Sequence, residues 1–396
     1  MIKQAIILAG GKGTRLGGFT KNIPKPMLEV GGKPFLEFLV WNLARQGVSD
    51  ILIFAGYKSE KIKEYFHNKF FYGSFIKVLI EEIPLGTGGC LKKHKEYLDD
   101  RFWLLNGDTF FDSSLLEIFQ QFSEDDEIII NGTLIDDPDR YGSLVIDSQN
   151  YVLEFNEKKR SGESLISAGI YLLHKKYITN LPDGFISLEK DIFPNLAKHK
   201  KIKLFVSEAF FIDIGIPDSL AFARDIFDKK MRKPALFIDR DGTINEDSGY
   251  THKIEDLKLV KGAAEVIKLA NKRGFYVILI TNQGGISKGI FSQEQMEIFN
   301  EGLINKLRSL GANLDFVYFC PHHPEAHDAK MRQCECRKPK SGLIDKALTE
   351  LPILKERSFM LGDDEKDVEA ALNAGIPGYQ FKGESLLNFV IKGNLL

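Results

Sequence analysis

Cysteine, net charge and long apolar runs are all scarce in this 396-residue sequence, and each shortage excludes something. The 53 Lys+Arg and 55 Asp+Glu nearly cancel, so no surplus of one sign argues for nucleic acid or an anionic membrane as partner. No apolar stretch approaches the roughly 20 residues that cross a bilayer. Met1-Ile2-Lys3-Gln4 runs directly into a strand-like Ala5 to Ala9, too short for a signal-peptide core with a cleavage site, so a cytoplasmic protein is expected. The four cysteines are Cys90, Cys320, Cys334 and Cys336. Three of them crowd into positions 320–336, which without an export signal favours a metal site over disulfides. Internal repeats and low-complexity segments are missing too.

What is present is an ordinary globular composition, 43% hydrophobic and 27% charged, in a chain long enough for two domains with a core each. The fold class is α/β. Ala5 to Ala9, Ile51 to Ala55, Val78 to Ile80 and Trp103 to Leu105 read as strands. Between them, Phe35 to Arg45 and Ile62 to Phe66 carry apolar residues at helical spacing. This rhythm predicts a mostly parallel sheet covered by helices, with an antiparallel addition over 128–173. The rhythm restarts at Ala235 to Ile238, followed by a helix over Ala263 to Lys272 and strands at Tyr276 to Ile280, Phe316 to Phe319 and Phe359 to Leu361. The charged stretch from Asp228 to Pro234 is read as the linker, giving domains over 1–229 and 233–390.

After the first strand comes Gly10-Gly11-Lys12-Gly13-Thr14-Arg15-Leu16. It is neither a Walker A motif nor G-x-G-x-x-G. Small residues still let backbone N–H groups approach phosphate oxygens, and Lys12 and Arg15 add positive charge. Pro24-Lys25-Pro26 sets a further lysine on a rigid turn. Cations grouped this way suit attack on an α-phosphorus, where a highly charged pyrophosphate must leave. Asp108 follows an apolar strand, where α/β folds place ligands, and Asp213 follows Phe210-Phe211-Ile212 similarly. The two carboxylates could share one Mg²⁺.

These segments resemble the sugar-1-phosphate nucleotidyltransferases over roughly residues 1–225. The signature is similar in residues 10–16 with Pro24-Lys25-Pro26. The base-recognition loop is similar in Pro84-Leu85-Gly86-Thr87-Gly88-Gly89, and the metal motif in Asn106-Gly107-Asp108. Asn156-Glu157-Lys158 and Ser167-Ala168-Gly169-Ile170-Tyr171 are similar to the sugar-binding segments, although Ser167 stands where Asn is usual. Asp213-Ile214-Gly215-Ile216-Pro217 is similar to the second metal segment, with Ile216 where Thr is common. The resemblance implies a Rossmann-like, GT-A-like mixed sheet, with Arg15 and Lys25 catalytic and Asp108 and Asp213 on Mg²⁺. It implies that Gly10, Gly11, Gly13, Thr14, Gly86, Thr87, Gly88, Glu157, Lys158 and Gly169 bind nucleotide and sugar. It is nearest to the guanylyltransferases of D-glycero-α-D-manno-heptose 1-phosphate, with mannose-1-phosphate guanylyltransferases as the runner-up.

In the second half, Phe237-Ile238-Asp239-Arg240-Asp241-Gly242-Thr243 follows a short strand. One Asp can attack a phosphoryl group if a metal screens the anions, and an Asp two residues on can shuttle the proton. Alone, this pattern equally fits a calcium loop or a turn. Thr281-Asn282-Gln283 offers a hydroxyl and N–H groups, Arg337-Lys338-Pro339 offers cations, and Gly362-Asp363-Asp364 a further carboxylate. In this order the set resembles the haloacid dehalogenase phosphatases over roughly 233–385. That implies a Rossmannoid domain with Asp239 as nucleophile and Asp241 as general acid/base. It implies phosphate contacts from Thr281, Asn282, Gln283, Arg337 and Lys338, and Mg²⁺ on Asp239, Asp241 and Asp363, supported by Asp364 or Asp367. The interval from Asp239 to Thr281 is too short for a large cap, so loops must choose the substrate.

Cys320-Pro321-His322 and Cys334-Glu335-Cys336 form a Cys-x-His…Cys-x-Cys set suited to structural tetrahedral Zn²⁺, with His323 and His327 as alternatives. This loop, with Asp247 and Tyr250 in Asp247-Ser248-Gly249-Tyr250, resembles the heptose 1,7-bisphosphate 7-phosphatases; histidinol phosphatases are close relatives. The joint resemblance implies GTP and a phosphorylated heptose as partners, with neither nucleic acid nor membrane, and it is compatible with a homo-oligomer.

Overall fold

Strand β1 (Gln4–Ala9) is almost wholly buried, as its apolar run requires of a central parallel strand. The computed structural model describes residues 2–121, 128–136, 141–156 and 163–396. They fold as two units, Met1–Phe227 and Asp228–Leu396.

In the first unit β1 pairs in parallel with β2 (Asp50–Ala55), and β2 with β4 (Ser74–Ile80), whose outer edge carries the antiparallel β3 (Lys69–Phe71). On its other side β1 pairs in parallel with β5 (Arg101–Asn106). The short strand β6 (Thr109–Phe111) follows β5 directly. The antiparallel addition consists of β7 (Ile128–Ile135), β8 (Ser143–Ile146), β9 (Val152–Asn156) and β10 (Ser164–His174); β10 pairs with β5, β7 and β8. Strand β11 (Ile202–Val206) extends β7, and β12 (Phe211–Asp213) pairs with β6. The helix Phe35–Arg45 spans the predicted residues because Phe35, Leu36, Leu39, Val40 and Leu43 fall on one buried stripe.

Two departures from the sequence reading have local causes. Gly86 to Gly89 opens a helix, Gly86–Lys93, rather than a loop. Gly86 sits at φ +74°, and a side chain there would collide with the Ile186 carbonyl, so only glycine allows this approach. The helix Pro217–Met231 also takes in the first half of the expected linker. Lys229 and Lys230 are good helix formers and sit favourably at its negative end.

The second unit has one parallel sheet in the order β15 (Phe316–Cys320), β14 (Tyr276–Asn282), β13 (Ala235–Ile238), β16 (Phe359–Gly362), β17 (Gly378–Gln380). The first of the crossover helices, Ala263–Lys272, packs an apolar face on a core that includes Leu236, Ile238, Val277 and Leu279. Strand β13 lies between β14 and β16, so the segments after these three strands converge. Among the described residues no helix is long and apolar enough to cross a membrane.

Candidate functional site

In the first unit a cleft of about 850 Å³ opens where β1, β4 and β5 end. Gly10, Gly11, Gly13, Thr14, Arg15, Lys25, Gly86, Thr87 and Asp108 all line it. Gly88 lies behind them, its N–H donating to the Ile186 carbonyl at 2.8 Å. Gly169 packs against the side chain of Asn106. Glu157 and Lys158 lie outside the described residues. Ser167 spends its hydroxyl locally, 3.2 Å from the Tyr171 hydroxyl and accepting from the Gly169 N–H at 3.3 Å. Lys12 is exposed and does not line the cleft, whereas Lys190 does.

Lys25 is buried and its ammonium pairs with Asp108. The antiparallel register sets Asp213 opposite Thr109. The Thr109 hydroxyl lies 3.3 Å from Asp108 Oδ1 and 3.5 Å from Asp213 Oδ2, so two acidic side chains flank one hydroxyl. A Cβ on Gly215 would lie 2.6 Å from Asp213 Oδ1 and 3.1 Å from Lys25 Nζ. Gly215 thus packs close to both side chains. Asp108 lines the cleft with Arg15 and Lys25, and Asp213 is buried on the adjoining strand; their carboxylate oxygens form a donor set that fits Mg²⁺ beside a phosphate.

Sequence reasoning missed Glu81, Phe185, Ser187, Glu189 and Lys190, which also line this cleft. Glu81 follows β4; its Oε1 accepts the Leu85 N–H at 2.9 Å and its Oε2 lies 2.6 Å from where a Gly10 Cβ would be. Burial raises its carboxyl above the ordinary range. Thr87 donates to Glu189 at 2.7 Å, which ties this side of the cleft to the turn at Leu188–Ile192.

In the second unit, Asp239, Asp363 and Asp367 bring carboxylate oxygens within 4.8 Å of one another. Lys338, itself buried, pairs with Asp239, lies 2.7 Å from Asp367 Oδ1 and donates to the Ile280 carbonyl at 2.8 Å. Asn282 holds the Lys338 backbone from both sides, at 3.0 and 3.1 Å. Burial pushes the Asp239 carboxyl up; the Lys338 ammonium opposes this, and Asp367 adds to it. Lys338 contacts two of these three acidic groups, and the oxygen donors of all three fit Mg²⁺.

Asp241 is not in that group. Its carboxylate accepts from Arg240 Nε at 3.0 Å, Arg240 Nη2 at 2.9 Å, Asn245 at 3.0 Å and Gln283 at 3.1 Å. Arg240 is fully buried and also donates to Asn300 and to the Thr251 carbonyl. This fork turns Asp241 aside, and Asp367 takes the third place. Asp367 is oriented by a capping box at the start of the helix Glu365–Asn373: its Oδ2 accepts the Asp364 N–H at 3.2 Å. Asp364 itself is drawn into an ion pair with Lys366. Gln283 donates to Thr281 Oγ1 at 2.8 Å and so links the expected phosphate-binding turn to Asp241. Asp247 accepts from the Gly249 N–H and the Thr251 hydroxyl, which shapes the loop that exposes Tyr250.

Cys320, His322, Cys334 and Cys336 bring their donor atoms within 4.8 Å of one another. Sulfur separations of 3.1 Å (Cys336–Cys320) and 3.6 Å (Cys320–Cys334) are too long for a disulfide, and His322 Nδ1 lies 3.3 Å from Cys336. Three sulfurs and one imidazole fit tetrahedral Zn²⁺. His323 and His327 are occupied elsewhere, His323 with the Glu325 N–H and His327 with the Lys288 carbonyl. Arg337 donates to the His322 carbonyl at 3.0 Å, so the cysteine loop and this cation are coupled.

Comparisons with known proteins agree with this division. The nucleotidyl transferase family model matches residues 4–229, and the HAD-hydrolase-like model matches 335–383. The chain therefore belongs to the nucleotidyl transferase family, with a HAD-type phosphatase unit fused behind it. More narrowly, its first half groups with the heptose 1-phosphate guanylyltransferases and its second with the heptose-1,7-bisphosphate 7-phosphatases. The D-glycero-alpha-D-manno-heptose 1-phosphate guanylyltransferase of Campylobacter jejuni is 42% identical over 217 residues, 54% of this chain and 96% of that protein. The D-glycero-beta-D-manno-heptose-1,7-bisphosphate 7-phosphatase of Rhodopseudomonas palustris is 43% identical over 160 residues, 40% of this chain and 89% of that protein. The crystal structure of HddC from Yersinia pseudotuberculosis, also solved with GMP-PN, superposes with a TM-score of 0.52 at 38% identity, covering 57% of this chain and all of that one.

Proposed function

We propose that this is a cytoplasmic bifunctional enzyme of GDP-heptose biosynthesis. The domain over 233–390 removes the C7 phosphate of D-glycero-α-D-manno-heptose 1,7-bisphosphate. The domain over 1–229 then transfers GMP from GTP to the heptose 1-phosphate and releases pyrophosphate. The observation that carries this reading is the pairing: each half covers nearly all of a relative, and both relatives are named for phosphates of D-glycero-D-manno-heptose. The phosphatase relatives are named for the β-anomer and the transferase relatives for the α-anomer. Hydrolysis at C7 leaves C1 untouched. A chain running both steps in sequence must therefore accept the α-bisphosphate at its first site.

In the phosphatase, Asp239 attacks phosphorus as the sugar O7–P bond breaks, and Asp241 gives the leaving oxygen its proton. Asp241 then takes a proton from water, which attacks the aspartyl phosphate, releases phosphate and restores the Asp239 carboxylate. Lys338, Thr281 and Asn282 hold the reacting phosphate. Asp239, Asp363 and Asp367 would hold Mg²⁺, which screens the two anions from one another. In the transferase, Asp108 and Asp213 would hold Mg²⁺, while Arg15 and Lys25 stabilise the charge that builds on the phosphates.

Glu81 reads the base. A carboxylate offers only acceptors, and the N1–H and N2–H of guanine are both donors, whereas adenine N1 is itself an acceptor. Glu81→Gln should lower kcat/KM for GTP by about tenfold or more and leave the other triphosphates little changed. Competition assays with the four triphosphates check this. The zinc loop yields a second expectation. Cys334→Ser should release Zn²⁺, seen by elemental analysis, and reduce phosphatase activity through Arg337. Unchanged metal content would count against the site.

The deciding experiment supplies α- or β-heptose 1,7-bisphosphate, Mg²⁺ and each triphosphate, and reads phosphate, pyrophosphate and sugar nucleotide. GDP-heptose from the α-anomer is expected. No phosphate from either anomer, with rapid use of mannose 1-phosphate and GTP, would overturn the reading in favour of a mannose-1-phosphate guanylyltransferase fused to another phosphatase.

A further inference from the structure

We propose that Phe185 is an aromatic wall of the transferase cleft, on which the ring of the sugar 1-phosphate rests. This rests on the guanylyltransferase reading above and adds a residue to it. Phe185 lines the cleft, yet 70% of its surface is exposed. A large apolar ring bare in a ligand cleft gains by being covered.

The backbone holds this ring in place from both sides. After it, the Ile186 N–H donates to the Leu85 carbonyl at 2.8 Å, and the Ile186 carbonyl accepts from the Gly88 and Gly89 N–H groups at 2.8 and 3.3 Å. Before it, the Gly184 carbonyl closes on Gly89, where a Cβ would collide with it. Both neighbours of Phe185 are therefore fixed to the start of the helix Gly86–Lys93. The ring is presented to the cleft by an anchored segment, not by a loose loop tip.

The order of the sheet selects the substrate that meets it. From β4 the strands run β2, β1, β5, β10. Glu81 leaves β4, the Gly-rich turn follows β1, Asp108 follows β5, and Tyr171 lies on β10. With the base at Glu81 and the phosphates over the turn, the sugar phosphate must arrive at the end formed by β5 and β10. The segment that carries Phe185 leaves β10 through the short helix Lys176–Thr179. Ser187 and Glu189, which follow Phe185, line the cleft too. Burial raises the Tyr171 hydroxyl and the charges of Glu189 and Asp108 add to this, so Glu189 shares this end with Asp108. Glu189 accepts from the Thr87 and Ser187 hydroxyls at 2.7 and 2.9 Å. The wall is thus amphipathic, with a carboxylate and two hydroxyls beside a bare ring. A pyranose is divided the same way, with hydroxyls around its rim and C–H groups on its faces. A purine also stacks on a ring, but the guanine donors must reach Glu81 at the other end of the cleft.

The test is steady-state kinetics of the full chain with GTP and heptose 1-phosphate, for wild type, Phe185→Ala and Phe185→Tyr. Phe185 touches carbon atoms of the sugar and no bond that forms or breaks, so its loss belongs in KM. Phe185→Ala should raise KM for heptose 1-phosphate about 10- to 30-fold and leave kcat and KM for GTP within about twofold. Phe185→Tyr, which keeps the ring, should restore a KM near that of wild type. In Phe185→Trp carrying a non-hydrolysable GTP analogue, heptose 1-phosphate should change the emission of the new tryptophan, and the analogue alone should not. An unchanged KM for the sugar in Phe185→Ala, or a rise in KM for GTP in its place, would refute the wall and leave the transferase reading standing. If wild type forms no sugar nucleotide from GTP with either heptose 1-phosphate or mannose 1-phosphate, the transferase reading falls and takes the wall with it.

Discussion

Asp239→Asn should stop phosphate release from the bisphosphate, by about 10⁴-fold or more, while heptose 1-phosphate supplied directly is still converted to GDP-heptose at the wild-type rate. The amide keeps the shape of the side chain but is a poor nucleophile towards phosphorus. The substitution should not unfold the unit. Asp239 is one of three acidic groups gathered at this site, and burial already works against its charge. Lys338 keeps Asp367 at 2.7 Å, so removing one negative charge relieves repulsion without orphaning the lysine. The melting temperature of the phosphatase unit should therefore hold or rise. Phosphate release, GDP-heptose formation and thermal unfolding of the same preparation check all three parts. Loss of both activities would mean that the two sites are not independent.

The sequence makes this nucleophile legible because a short apolar strand ending in Asp is a local pattern, and parallel strands deliver their C-terminal ends to one place. Asp108, Thr281 and Asp363 are readable for the same reason. The limits of Phe35–Arg45 and Ala263–Lys272 are likewise local, set by apolar spacing and by the glycine beyond each end. What resists reading depends on groups distant in sequence. Alternation along an extended chain puts Asp239 and Asp241 on one side, but the buried Arg240 fork captures Asp241, and the capping box of a helix more than a hundred residues later brings in Asp367. Glu81 and Glu82 are indistinguishable in sequence. The structure sets Glu81 in the cleft beside Gly10, on another strand's exit, where an added Cβ would lie 2.6 Å from its Oε2. Lys12 sits in the Gly-rich segment itself, yet the structure leaves it exposed and brings Lys190 to the cleft.

The complementary substitution, Asp108→Asn, should reduce pyrophosphate release by about 10²- to 10³-fold and leave phosphate release intact, so that heptose 1-phosphate accumulates. The reason lies in how few groups share this corner. Asp108 pairs with Lys25, and the Thr109 hydroxyl sits between Asp108 and Asp213. Neutralising Asp108 weakens the Mg²⁺ site and frees Lys25 to swing towards Asp213. Arginine at position 25 should not substitute for lysine, because Lys25 is buried and its ammonium pairs with Asp108, a place that the wider planar guanidinium does not fit. Single-turnover pyrophosphate release for Asp108→Asn, Lys25→Arg and wild type separates the two effects. Added Mg²⁺ should partly recover the Asn variant, whose metal affinity is reduced, and should not help the Arg variant, whose fault is steric.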